Sequence, residues 1–239
     1  MMKQVKLADV PFGKNFEIWG HAYTALDADD GGVLALETDS VTEMPFREYE
    51  VEYKVAPNDF RDSSVKAYLE DTYAEELIAA GAKMGEDVLQ MEVDLKCTLG
   101  QREYKSARVF AGLLTLEQYG KYYDIIPRID TTYWLATPWK TPSRSPSTNY
   151  TNGVWYVDSN GYYNYWSYSN SIVVRPALTL SPSLLVSVEC DEEEEVESKW
   201  HEYLEYLIHW AISHSDKGFA GCMPACYNEW LDSEGSDEE

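Results

Sequence analysis

Cysteine is scarce in this chain. Its four residues, Cys97, Cys190, Cys222 and Cys226, are scattered too widely for a disulfide scaffold, and free thiols in a reduced compartment are the expectation. Histidine is equally rare, with three of its four residues beyond Cys190. No Cys-His or Ser-His-Asp grouping falls near the aromatic stretch described below, which argues against nucleophilic catalysis. There is no glycine-rich phosphate loop. No apolar run approaches the roughly 20 residues that span a bilayer, so no membrane insertion is expected. The opening "MMKQVKLADVPFGKNF" has no apolar signal core. Positive charge is also short: 19 Lys and Arg face 42 Asp and Glu, for a net charge of −23. Such a chain repels nucleic acid and anionic membranes. The same charge leaves open the reverse role, an acidic surface that occupies a nucleic-acid-binding protein.

Aromatic residues are plentiful, at 14% of 239 residues, and a chain of this length can bury a real core. The first 60 residues read as short strands and turns, with "NFEIWGHAY" and "GVLALETD" separated by the turn cluster "DADDGG". A helix follows, capped by Asp62, Ser63 or Ser64. Its apolar positions Val65, Tyr68, Leu69, Tyr73, Leu77 and Ile78 recur at helical spacing, and Gly81 ends it. "VLQMEVDLKC" and "SARVFAGLL" read as strands. Thr115 and Gln118 have capping-box spacing and predict a short helix stopped near Ile126-Pro127. "TTYWLATPWK" reads as an aromatic strand, followed by the Ser/Pro-rich "TPSRSPST".

The segment from Ser147 to Leu178, "STNYTNGVWYVDSNGYYNYWSYSNSIVVRPAL", stands apart. "GVWYV" reads as a strand with Val154 and Tyr156 on one face and Trp155 and Val157 on the other. "DSNG" is a hairpin turn in which Gly161 supplies a positive φ, and "YYNYWSYS" returns as the second strand. "IVVRPALTL" reads as a further strand, with Pro176 interrupting its ladder unless at an edge or bulge. Trp134, Leu135, Val154, Trp155, Val157, Ile172, Val173, Val174, Ala177 and Leu178 bracket the polar residues, which a disordered tract would lack. Tyr offers large, rigid contact area and a hydroxyl at little entropic cost, while Ser, Gly and Asn offer adaptable polar contacts. An array of Tyr150, Tyr156, Tyr162, Tyr163, Tyr165, Trp166 and Tyr168 therefore predicts a binding surface, part of it packed inward.

These residues carry a resemblance. "YWLATPW", "GVWYVDSNGYYNYW" and "VVRPAL", in that order, resemble a family of phage and gut-bacterial proteins with a W-L-x-[ST]-P element, a variable Asn/Ser/Tyr-rich hairpin and a closing G-V-R-P-A. "VKLADVPFGKNFEIWG", "DSSVKAYLED" and "FAGLLTLEQYGKYYDIIP" resemble its upstream segments, so the likeness covers about Lys6 to Leu185. The chain departs from it at Val173-Val174-Arg175 and in running on well past Leu185. The resemblance implies an α+β, C-type-lectin-like fold, shared with formylglycine-generating-type domains and with the variable proteins of diversity-generating retroelements. It implies two main helices with short antiparallel strands over residues 1–188, and a protein or cell-surface ligand. By the same resemblance the ligand-binding face would include Asn149, Tyr150, Asn152, Tyr156, Ser159, Asn160, Tyr162, Asn164, Tyr165, Ser167, Tyr168 and Asn170, to which the exposed array adds Trp166. A phage or prophage context makes a cytoplasmic or virion-associated protein the expectation.

After Leu185 the composition changes, and residues 189–239 are expected to form an acidic helical appendage. Asp191 can cap a helix whose apolar stripe is Trp200, Tyr203, Leu204, Leu207, Ile208 and Ala211. Cys222 and Cys226, with His209 and His214 upstream, could ligate zinc, but the spacing is not that of a common finger, and a buried thiol pair is the plainer reading. "DADDGG" and "DSNG" are too short for a calcium loop, so no metal or other cofactor is expected. Arg175 inside an apolar strand reads as structural, tying that strand to a neighbouring loop. Three functions remain: a non-enzymatic ligand-binding protein using the hairpin, an acidic protein that blocks a host nucleic-acid-binding factor through Glu192–Glu195 and the C-terminal tip, or an enzyme whose site would show as a deep pocket lined by ionisable groups.

Overall fold

The computed structural model describes residues 2–29, 31–49, 56–142, 151–189 and 199–209. The chain divides into two units, residues 4–188 and residues 1–3 with 189–239. The larger unit is α+β and mostly strands. Five come first: β1 (Met2–Lys6), β2 (Asn15–Ile18), β3 (His21–Asp29), β4 (Gly32–Glu37) and β5 (Thr42–Pro45). A helical segment follows, made of α1 (Ser64–Tyr68), a π-helical turn (Leu69–Tyr73) and α2 (Ala74–Ala79). Strands β6 (Val88–Leu89), β7 (Met91–Asp94), β8 (Ser106–Val109) and β9 (Ala111–Gly112) lead to α3 (Leu116–Tyr122). The last six strands are β10 (Tyr133–Pro138), β11 (Gly153–Val157), β12 (Tyr163–Ser167), β13 (Ser171–Val174), β14 (Ala177–Leu180) and β15 (Leu185–Glu189).

Local chemistry explains the helices. Ser63 caps α1, its Oγ accepting the Lys66 N–H at 3.0 Å. The buried residues Val65, Leu69, Tyr73 and Leu77 repeat every four positions, more than the about 3.6 residues of an α-turn. The wider π turn restores the phase, so all four stay on the core side. Ile78, placed on that stripe by the sequence reading, lies outside it and is exposed, because it is one residue past Leu77 and so about 100° round the helix. Thr115 and Gln118 form the capping box: Thr115 Oγ1 accepts the Gln118 N–H, and Gln118 Oε1 accepts the Thr115 N–H.

The strands form two large sheets and a small ribbon. One sheet has the order β1-β15-β2-β3-β4-β14-β6, with β9 also on β14. The second is β12-β11-β10-β13-β5. The ribbon is β7-β8. β10 and β13 run parallel, whereas β10–β11, β11–β12, β13–β5 and β14–β4 are antiparallel. "IVVRPALTL" is therefore two strands, β13 in one sheet and β14 in the other, with the break at Arg175-Pro176. Pro176 has no N–H to give a ladder, and it sits where no ladder needs one. Arg175 is almost wholly buried and holds the crossing. Its Nε donates to the Glu37 carbonyl at 2.7 Å, and its terminal nitrogens donate to the carbonyls of Pro127 and Thr38 at 2.9 and 3.1 Å. The guanidinium lies 5.2 Å from the centre of the Tyr133 ring. Burial pulls its pKa below the usual arginine value.

The second sheet is the partition between two cores. On one side Trp134, Ala136, Val154, Ile172 and Val174 pack with Phe16, Phe46 and Phe60. On the other, Tyr133, Leu135 and Val157 pack with Leu26, Leu36 and Tyr119. All six residues of β10 are buried, whereas four of the five in β12 are exposed and the fifth is half-buried. In the smaller unit, residues 199–209 are helical. Tyr203 is buried there between the Trp200 and Tyr206 rings, while Trp200, Leu204 and Ile208 are exposed. The expected stripe is thus covered at Tyr203 but not at those three positions. Asp191, Glu192–Glu195, Ala211, His214, Cys222 and Cys226 lie outside the described residues. Among the described residues no helix is long and apolar enough to cross a membrane.

Candidate functional site

The hairpin β11–β12 is held at both ends. At its tip, Asp158 Oδ1 accepts the N–H groups of Asn160 and Tyr162 at 2.9 and 3.0 Å, an Asx-type turn. Gly161 takes φ +82°. The Tyr119 hydroxyl, from α3, donates to the Gly161 carbonyl at 2.7 Å. At its stem, buried Asn58 donates from one Nδ2 to the carbonyls of Lys140 and Gly153, at 2.9 and 3.0 Å. Its Oδ1 accepts from the Tyr104 hydroxyl at 2.7 Å. The Thr141 hydroxyl donates to Gln101 Oε1 at 3.1 Å. These contacts tie both ends of the hairpin to the scaffold.

The register places Val154 opposite Trp166 and Tyr156 opposite Asn164, with Gly153, Trp155 and Val157 opposite Ser167, Tyr165 and Tyr163. Each face therefore has its own set of rings. On one, Trp139 and Tyr165 stack at 4.1 Å and 9°. Trp155 meets the edges of Tyr165 and Tyr163, each at 5.8 Å. Tyr163 meets Tyr119 at 6.5 Å, and Tyr119 meets Tyr123 at 5.7 Å. Gly153 makes this possible: a Cβ there would lie 3.0 Å from Trp139 and 3.2 Å from Tyr165. Lys140 Nζ lies 4.1 Å over the Trp139 ring. Among the described residues, the opposite face carries the Tyr156–Trp166 pair, at 5.8 Å, beside Asn164. Much of the first face is spent on ring-to-ring contact, whereas the second and the tip are open.

The residues named from sequence divide accordingly. Tyr162, at 71% exposure, and Tyr163, Asn164, Tyr165 and Trp166 form an unbroken exposed run, joined at the turn by Ser159 and Asn160. Tyr156, Asn152, Ser167 and Asn170 are half-buried. Tyr168 is a correction: it is 5% exposed and part of the main core, because it lies beyond the end of β12, where the chain turns back under the sheet. Its N–H donates to the Asn152 carbonyl at 2.9 Å and its own carbonyl accepts from Arg47. Asn149 and Tyr150 lie outside the described residues. Trp139 and Tyr119 belong to the ring ladder but were not found from sequence. Both are distant in the chain, and only the cross-strand register and the α3 docking bring them in.

Two other polar clusters lie apart from the hairpin. Tyr73 donates to Glu37 Oε2 at 2.6 Å, Tyr23 and Tyr73 share a hydrogen bond of 2.8 Å, and His21 Nδ1 lies 3.2 Å from Glu37 Oε1. Burial raises the Glu37 carboxyl above its ordinary range and pushes both phenols up. Every member is satisfied by another, the pattern of a structural network. A cleft of about 300 Å³ is lined by Asp27, Asp29, Glu92, Gln118 and Tyr122, among others. Asp27 there is engaged by Lys121, at 2.6 Å, and by Tyr122, and these hydrogen bonds lower its pKa. Cys97 is buried, with its Sγ 3.3 Å from Gln101 Oε1. Among the described residues no group of three or more His, Cys, Asp or Glu is arranged to hold a metal ion. No family model, no curated protein and no solved structure matches the chain.

Proposed function

We propose that this chain is a non-enzymatic ligand-binding protein that engages a protein or cell-surface ligand through the β11–β12 hairpin. The observation that carries the reading is the exposed run Tyr162–Trp166, four of its five residues aromatic, on a ladder fixed at tip and stem. Exposed rings on a rigid support lose little entropy on binding, and Trp and Tyr dominate interface energetics. The open face, Tyr156 and Trp166, together with Tyr162 at the tip, is the centre of the proposed contact. The motif order and the α+β architecture support a C-type-lectin-like domain. The Asn/Ser/Tyr excess supports a variable protein, phage or prophage encoded and diversified by a retroelement.

The test is selection of binders to the purified full chain from a displayed protein library, then measurement of each against Tyr162→Ala/Trp166→Ala. The expected result is a loss of roughly tenfold or more, with an unchanged melting temperature. Binders indifferent to the double variant sink the reading. The second reading, blockade of a basic nucleic-acid-binding factor, draws on the net charge of −23. It predicts binding that collapses with added salt and ignores the ring substitutions.

A further inference from the structure

β12 is the outermost strand of its sheet among the described residues. An outer strand offers unpaired N–H and C=O groups to any extended chain, including a second copy of the same protein. Which groups face outward follows from the register. Asp158 donates to the Tyr162 carbonyl at 2.8 Å and Tyr168 donates to the Asn152 carbonyl at 2.9 Å. In an antiparallel ladder bonded pairs alternate with non-bonded ones, so Val154–Trp166 and Tyr156–Asn164 are bonded pairs too. Tyr163, Tyr165 and Ser167 therefore turn their backbone groups away from β11.

Two of those groups are already taken, by neighbouring asparagines. Asn164 Oδ1 accepts the Tyr165 N–H at 2.8 Å, at mid-strand. Asn170 donates to the Ser167 carbonyl from its backbone N–H at 3.0 Å and from Nδ2 at 3.2 Å. We propose that Asn164, with Asn170 at the strand end, plugs the outer edge of β12. Its ligand then meets ring faces, a strand-adding partner is refused, and the protein does not pair with itself through this hairpin. Both residues are thereby reassigned from ligand contact to edge protection. Only the statement about ring faces rests on the proposed function. The plug stands on the register and the hydrogen bonds.

The experiment needs no ligand. Amide exchange at Tyr165 and mass by light scattering over a wide concentration series are measured for the full chain and for Asn164→Ala, Asn164→Asp and Asn164→Ala/Asn170→Ala. Removing the acceptor is expected to speed Tyr165 exchange roughly three- to tenfold, and Asn164→Asp, which keeps an acceptor oxygen, restores the parent rate. The double variant is expected to shift toward dimer as concentration rises, with new protection at Tyr163 and Tyr165. An unchanged Tyr165 rate in Asn164→Ala, or a double variant that stays monomeric throughout, overturns the proposal. Binding of ligands by the parent bears on the proposed function alone.

Discussion

Strands β10 and β12 belong to the same sheet, separated only by β11, and both are built around Tyr and Trp. In β10 both faces are covered, and Tyr133 and Trp134 feed opposite cores. In β12 neither face is fully covered, and Tyr163, Tyr165 and Trp166 reach solvent. Both strands carry Tyr and Trp, but they differ in rank within the sheet. A ring is buried or left to solvent according to how far its strand lies from the two cores.

Removing rings along this gradient should break the comparison or sharpen it. Trp134→Ala, at a fully buried site where Nε1 donates to the Met44 carbonyl at 3.1 Å, is expected to cost about 3–5 kcal/mol in urea unfolding. Tyr168→Ala is expected to cost about 3 kcal/mol by the same measurement, despite its place in the Tyr-rich tract. A cost near zero would return Tyr168 to the exposed array. Tyr119→Phe, which deletes only the hydroxyl bonded to Gly161, is expected to cost about 1 kcal/mol and to sharpen the turn amides' response in hydrogen exchange. Tyr162→Ala should stay within about 0.5 kcal/mol of the parent.

A contrast in pH completes the series, between the buried carboxylate and the exposed rings. Burial raises the Glu37 pKa above its ordinary 4.5, so in the window above that value the folded protein holds more protons than the unfolded chain. Glu37 therefore makes stability fall as pH rises through that window. Glu37→Gln should flatten this slope in urea midpoints taken at stepped pH, and Tyr162→Ala should leave it intact.

Much of the scaffold was legible because its signals are local. The capping box at Thr115 and Gln118, the Ser63 cap, the alternation in "GVWYV" and the turn at Gly161 all depend on neighbours within four residues. The structural role of Arg175 was legible for a related reason: a guanidinium flanked by apolar residues must find acceptors. What failed was non-local. Splitting "IVVRPALTL" between two sheets depends on β4 and β5 taking different partners. The burial of Tyr168 depends on which core the chain re-enters, and the stacking of Trp139 on Tyr165 depends on a close approach that Gly153 permits. Ile78 failed because it follows Leu77 directly in α2 and so lies about 100° round the helix from the buried stripe.

One carboxamide, that of Asn58, grips the chain both where it leaves Lys140 and where it returns at Gly153. The ends of the span between those points are thus gripped by a third element, in addition to the Trp139 N–H that donates to the Gly153 carbonyl at 3.0 Å. Doubling such a span costs only about 0.6 kcal/mol of closure entropy. A change of length between those two anchored ends therefore costs little closure entropy, while the ladder beside it keeps its register.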